Sequence, residues 1–271
     1  MIRSTRRTRS RRLVTRVISG GFLLATVTAC ELPSFGFPKG ITPEAKRMYN
    51  LWSGSVIGAL IVGVGVWGMI FWASFAYRKK SDELPRQVRY NLPVEILYTV
   101  VPFVIVGGLF YYTARDESKI DAKPKADMTV SVVGIRWSWQ FGYIEKNAAG
   151  KDVVTAQVTG RPGQPPVLVL PTNRSILFRE TSKDVIHSFW VIQFNFKRDV
   201  IPGRTNEFEI SKITKTGTFV GRCAELCGVD HDRMSFIVKV VSDKTFDQYR
   251  ASNYDPKVLE TASASSTGSG S

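Results

Sequence analysis

From Leu51 to Tyr77, and again from Ile96 to Thr113, this chain of 271 residues contains no Asp, Glu, Lys or Arg. Few features restrict a fold so severely. A bilayer's hydrocarbon core, about 30 Å thick, is crossed by about 20 helical residues. Both runs are therefore long enough to span it, the first with some tilt. Lipid offers no water to satisfy backbone N–H and C=O groups, so such runs must fold as helices. Gly54, Gly58, Gly63, Gly65 and Gly68 would weaken a helix in water. In lipid they let another helix come close, and Gly54 with Gly58 makes a Gly-x-x-x-Gly pair. The segment between the runs holds Arg78, Lys79, Lys80, Arg86 and Arg89 against Asp82 and Glu83, and a basic loop of this kind stays in the cytoplasm. The expectation is a multi-pass plasma-membrane protein with a transmembrane hairpin over residues 51–113 and both mature termini extracytoplasmic.

Lys and Arg number 37 against 23 Asp and Glu, a net charge of +14. Gathered on one folded face, that excess would suit a nucleic-acid partner. Here fifteen basic and five acidic side chains precede residue 114, in a leader and in the loop just described. This is membrane topology, and no nucleic acid is expected as a partner. Residues 1–16 hold seven arginines and no acid, followed from Val17 by an apolar run too short to span. Residues 1–29 thus have the form of a secretory signal peptide. It ends Val27-Thr28-Ala29-Cys30, which is similar to a bacterial lipobox. Cleavage there would leave Cys30 lipidated, as the N-terminal anchor of a lipoprotein in a bacterial plasma membrane; the other reading is an uncleaved anchor with an incidental cysteine. Residues 30–50, with Pro33, Pro38 and Pro43, read as an extracytoplasmic segment that turns helical near Pro43.

Residues 114–126 are charged and lack an apolar face, so they read as a linker. From Met128 the chain changes to short β-rich runs broken by Gly, Pro and Asn. Strands are expected at Thr129–Val133, Trp137–Tyr143, Val153–Val158, Val167–Leu170, Ser175–Arg179, Ser188–Gln193, Glu207–Ile210, Thr218–Cys223 and Ser235–Val241. Short strands at such spacing suggest an antiparallel sandwich or barrel over residues 127–250. Thr245–Arg250 would form a short closing helix, and the Ser-, Ala- and Gly-rich residues 251–271 read as a disordered tail.

The chemistry lies in Cys223-Ala224-Glu225-Leu226-Cys227-Gly228-Val229-Asp230-His231-Asp232-Arg233-Met234, together with His187 in Asp184-Val185-Ile186-His187; these are the chain's only two histidines. Two thiols, two imidazoles and a thioether suit copper, and a weak Met ligand marks electron-transfer copper sites. Two cysteines four apart can each bridge the same two metal ions. Two other readings use the same residues: a Cys223–Cys227 disulfide, favoured by an oxidising exterior, or a structural zinc ion in a Cys2His2 set.

The pattern Cys-x-Glu-x-Cys-x-x-x-His-x-x-Met, with Asp-Val-Ile-His upstream, resembles the CuA site of cytochrome c oxidase subunit II. The resemblance implies a Greek-key cupredoxin domain after the hairpin, a mixed fold overall. It implies that Cys223 and Cys227 bridge two copper ions, that His187 and Met234 complete one, and that His231 with the Glu225 backbone carbonyl completes the other. The Glu225 carboxylate would help bind a Mg²⁺ ion shared with subunit I. Electrons would come from cytochrome c, or from the cytochrome c domain of a bc complex, and pass to haem in subunit I. There an aa3-type oxidase reduces oxygen and pumps protons. Subunits I and III are the implied partners.

Other stretches carry the same resemblance. Glu95-Ile96-Leu97-Tyr98-Thr99-Val100-Val101-Pro102 resembles the family's Glu-x-x-Trp-Thr-x-x-Pro, with Tyr98 in place of Trp. It implies that Glu95 stands near the entrance of a proton-uptake channel. Arg136-Trp137-Ser138-Trp139-Gln140-Phe141 resembles the family's aromatic segment, which implies Trp137 as the port for electrons. Strand alternation would put Trp137 and Trp139 on one face. Lys197-Arg198-Asp199-Val200-Ile201-Pro202-Gly203-Arg204 follows a family pattern facing subunit I, while alone Ile201-Pro202-Gly203 says only turn. Glu180 and Asp184 are the acids available to a cytochrome-docking face. A quinol-oxidase subunit would lack the ligand set, and a lipid-anchored copper-delivery protein would need no paired spans.

Overall fold

The computed structural model describes residues 34, 36–85, 87–122 and 125–260. The signal peptide over residues 1–29 and Cys30 lie outside the described residues, as do residues 261–271 of the expected tail.

Two long helices come first. Helix α1, Pro43–Ala76, starts where Thr42 accepts the Ala45 N–H on its side chain at 3.0 Å, with Pro43 in the first turn, where a missing N–H costs nothing. Helix α2, Leu92–Ile120, starts after Asn91, whose N–H is taken by the Glu95 carboxylate at 2.9 Å. Both are apolar enough to cross a membrane. Among the described residues, nothing beyond the helix's own adjacent backbone lies within 4 Å of a Cβ placed at Gly54 or Gly58.

Helix α2 continues past Thr113 into the expected linker. Residues 114–120 contain no Gly or Pro and are mostly good helix formers, and charge alone does not stop a helix. They also gain tertiary cover: Asp116 and Ile120 are buried, and Asp121, at the helix end, pairs with Arg198 of the β domain.

The β domain is a sandwich of two five-stranded sheets. One has the order β3-β2-β1-β5-β8 and the other β4-β10-β9-β6-β7. The strands are β1 Met128–Ile135, β2 Ser138–Lys146, β3 Asp152–Thr159, β4 Val167–Pro171 and β5 Ile176–Ser182, then β6 His187–Val191, β7 Phe196–Val200, β8 Asn206–Ile210, β9 Gly217–Cys223 and β10 Ser235–Val241. All nine expected strands are present. The pairing is mixed rather than purely antiparallel: β1 runs parallel to β5, and β4 to β10. The tenth strand, β7, is not among the expected ones; it holds three charged residues between Phe196 and Val200, just before the Ile201-Pro202-Gly203 turn. It is an edge strand with alternating exposure, and edges tolerate charge.

Aromatic rings fill the space between the sheets. Phe189 stacks on Phe236 at 4.8 Å and Phe178 on Phe208 at 4.7 Å, while Trp139 meets Phe236 edge-on at 5.5 Å. Each such ring buried is worth about 1.5–3 kcal/mol against exposure. Gly221 on β9 makes the room: a Cβ there would lie 2.0 Å from the Phe236 ring.

Helix α3, Asp243–Ala251, closes the domain, capped by Ser242 and burying Phe246 and Tyr249. The chain stays packed beyond it, contrary to a tail starting at 251. Tyr254 stacks on Tyr143 at 4.5 Å, and Leu259 is buried. These two apolar side chains had no local period to announce them.

The segment before α1 docks on the sandwich. Ile41 is buried, donates to the Gln193 carbonyl and accepts from Thr214. Asn195, after a 3-10 turn at Ile192–Phe194, donates to the Pro38 carbonyl at 2.8 Å and to that of Ala45 at 3.3 Å. Gly40 is required here: its φ is +71°, and a Cβ would lie 2.4 Å from that of Ala45.

Candidate metal centre

Three connections meet at one end of the sandwich: the β9–β10 loop, the β5–β6 connection and the β1–β2 turn. The β9–β10 loop begins at Cys223 and ends at Met234, and its base is closed by the Cys223 N–H on the Met234 carbonyl at 3.0 Å. His187 opens β6, whose Phe189 pairs in register with Cys223. Antiparallel pairing of β6 with β9 thus carries the upstream histidine to the loop.

The ligand atoms converge. Cys223 Sγ lies 3.9 Å from His187 Nδ1, 3.2 Å from the Glu225 carbonyl oxygen and 3.9 Å from Cys227 Sγ. Cys227 Sγ lies 3.5 Å from His231 Nδ1 and 3.6 Å from Met234 Sδ. The cysteines are free, their sulfurs far beyond the ~2.05 Å of a disulfide. His187, Cys223, Cys227 and Met234 are buried and His231 partly so, whereas the Glu225 side chain is exposed. The donor chemistry decides between zinc and copper. A buried thioether and a carbonyl beside two thiols exceed what a closed tetrahedral zinc site uses, and they fit copper.

Neighbours hold this arrangement. Asp184 Oδ1 lies 2.9 Å from His187 Nε2, which leaves Nδ1 to face the sulfurs. Asp184 also accepts the backbone N–H groups of Arg136 and Val185, each at 2.7 Å. Burial raises the Asp184 carboxyl, but these donors and His187 outweigh it and hold the group below the usual carboxylate range. Replacing Asp184 by Asn removes acceptors and frees the imidazole to turn. Loss of such a supporting group costs about 10- to 100-fold in metal affinity. We expect Asp184→Asn to lose copper to a chelator at correspondingly lower concentration, with the fold retained.

Gly134 lies against the other side of the imidazole, where a Cβ would meet His187 Cδ2 at 2.7 Å. Burial pushes the Cys223 thiol up, yet its contacts with His187 and the backbone at Glu225 and Ser188 bring it down to about 7. Cys227, buried and beside the Cys223 sulfur, is pushed up to about 12. Cys223 therefore ionises more readily than Cys227, and a metal that binds both sulfurs must displace whatever protons they still carry.

The family descriptions support the same identity. "Cytochrome C oxidase subunit II, periplasmic domain" matches residues 128–241, and "Cytochrome C oxidase subunit II, transmembrane domain" matches residues 31–112. The Streptomyces avermitilis protein named probable cytochrome c oxidase subunit 2 is 46% identical over 91% of this chain and 88% of its own length. The chain belongs to the cytochrome c oxidase subunit II family. The Mycobacterium bovis cytochrome c oxidase subunit 2 is 37% identical over 88% of this chain and 80% of its own. Among solved structures, the periplasmic domain of subunit II from Bradyrhizobium japonicum is 36% identical, covering 48% of this chain and 95% of that one, with a TM-score of 0.41. Subunit II is the part of the oxidase where electrons enter, and this one is a membrane protein with a His187–Cys223–Cys227 group suited to copper.

The remaining expected residues fall into place unevenly. Trp137 is not in a strand: it occupies the turn between β1 and β2, so it does not share a strand face with Trp139. Its indole N–H donates to the Cys227 carbonyl at 3.2 Å, and it remains partly exposed. Trp139 is fully buried and directs its N–H to the Met234 carbonyl at 3.4 Å. Glu180, read as a docking acid, is fully buried in the core. Glu95 lies on α2, in the hairpin rather than the metal loops, and caps its own helix. Gly134 and Gly228 escaped notice, since a glycine's service to a distant imidazole or indole has no local signature. Gly228 has a φ of +124°, and a Cβ there would sit 3.0 Å from the Trp137 Nε1.

Proposed function

We propose that His187, Cys223, Cys227, His231, Met234 and the Glu225 carbonyl hold two copper ions as a CuA centre. The convergence of both free cysteine sulfurs with two imidazoles and a thioether carries this reading. Two copper ions bound there would supply one-electron transfer between a c-type cytochrome and haem in subunit I. The chain's own part is to keep the ligands still: two strands, a loop closed at its base and Asp184 restrict their movement between redox states. Trp137 is the port, because it combines a partly exposed ring with a hydrogen bond to the carbonyl of a ligand residue.

The further roles follow the family resemblance. The Glu225 carboxylate, exposed on the loop, helps hold a Mg²⁺ ion shared with subunit I. Glu95 stands near the entrance of a proton channel formed with subunit I. Subunit III completes the core of the complex, the donor is a soluble cytochrome c or the cytochrome domain of a bc complex, and the basic loop is cytoplasmic. Both mature termini are extracytoplasmic, with a lipid on Cys30. Electron paramagnetic resonance of the purified complex tests the centre. The expected spectrum shows an unpaired electron shared equally by two copper nuclei; the hyperfine pattern of a single nucleus sinks the reading.

A further inference from the structure

Glu180 is the least expected resident of the sandwich core. It belongs to the inward-facing set of β5 that includes Ile176, Phe178 and Ser182, and it is 0% exposed. Neither of its carboxyl oxygens has a hydrogen-bond partner. An ionised carboxylate left in that state would be costly. Burial holds the acid well above the usual carboxylate range; Arg198 opposes this and Asp199 adds to it. Those two charged groups both lie on β7, which touches β5 from the facing sheet. The register neighbours from β1 and β8, Val132 and Asn206, carry no charge.

Arg198 is divided between two places. Its Nη2 donates to Asp121 at the end of α2, while its Nε is buried without an acceptor. A carboxyl lacking a donor thus lies within electrostatic reach of a guanidinium with one N–H unspent. Two residues beyond Glu180, the Ser182 hydroxyl donates to the Val185 carbonyl and accepts the Asp184 N–H, and Asp184 fixes His187. Glu180 is thus connected to the metal-binding imidazole through the hydrogen bonds of Ser182 and Asp184.

We propose that Glu180 is a proton-binding group linked to the electron occupancy of the metal centre, with Arg198 as its positioning partner. The inference rests on the copper reading. When the centre is oxidised it carries one more positive charge, which favours the carboxylate. The Glu180 O–H bond breaks, the proton leaves for the external water, and the carboxylate accepts the Arg198 Nε–H. When an electron arrives from the reduced cytochrome, the carboxylate takes a proton from that water and releases Arg198. At most one proton moves with each electron.

The test uses the purified oxidase complex. Infrared difference spectra between oxidised and reduced forms are expected to show a protonated-carboxyl band that grows on reduction, shifts in D₂O and vanishes in Glu180→Gln. The copper potential is expected to fall with rising pH in the native protein and to lose that slope in the variant. A native carboxyl band and native pH slope in Glu180→Gln overturn the proposal, although the copper reading stands. Absence of copper signals from both proteins overturns the copper reading and takes this proposal with it. Should the Gln variant not assemble, Glu180→Asp keeps an acid and must displace the carboxyl band; an unmoved band is equally fatal.

Discussion

Cys223→Ser should leave a folded subunit II that retains no copper pair. Cys223 Sγ is the hub of the cluster, facing His187 Nδ1, the Glu225 carbonyl and Cys227 Sγ. A serine oxygen is smaller, hard rather than soft, and stays protonated at neutral pH, so it replaces none of these functions for a soft ion. The fold has less to lose: the side chain is similar in size, and one buried substitution of this kind typically costs about 0.5–3 kcal/mol. The expected result is loss of bound copper and of electron transfer into the complex, read by metal analysis and optical absorption, with circular dichroism nearly unchanged. Cys30→Ser provides the contrast and should keep its copper in full. Native copper content in Cys223→Ser would remove that cysteine from the ligand set.

Gly221→Ala should damage the fold itself. Its new Cβ would sit 2.0 Å from Phe236 Cζ and 2.1 Å from Cε2, and that ring has nowhere to go between Phe189 at 4.8 Å and Trp139 at 5.5 Å. Overpacking usually costs about 1–3 kcal/mol, and more where nothing yields. We expect about 3 kcal/mol, a fall of about 6–12 °C in the thermal midpoint of the full chain. Gly134→Ala makes the complementary case. There the clash is with His187 Cδ2 at 2.7 Å, so copper retention should fall while the midpoint moves much less. Equal thermal shifts in the two variants would contradict the division of roles drawn here.

What could be read from the chain was whatever is written locally. Uncharged runs at Leu51–Tyr77 and Ile96–Thr113 announce helices in lipid, and the Cys223–Met234 spacing announces a ligand loop whose arrangement the family resemblance supplied. Strand runs were visible because side-chain alternation is a property of neighbours in sequence. The misses share a different cause. Charged residues 114–120 continue as helix and gain cover where Asp121 meets Arg198, and Phe196–Val200 becomes an edge strand by pairing with β6. Trp137 is placed by the Cys227 carbonyl, ninety positions away. Glu180, an acid in an otherwise plain alternating strand, looked like surface until the second sheet covered it.

The head is tied to the hairpin twice, through Ile41 and Asn195 at the start of α1 and through Arg198 at the end of α2. A globe on one stalk could swivel; one braced by two struts cannot turn without snapping a strut. The inclination of the metal loops to the bilayer plane is thereby set by the hairpin, and an electron donor arriving there would meet the same landing angle at every encounter.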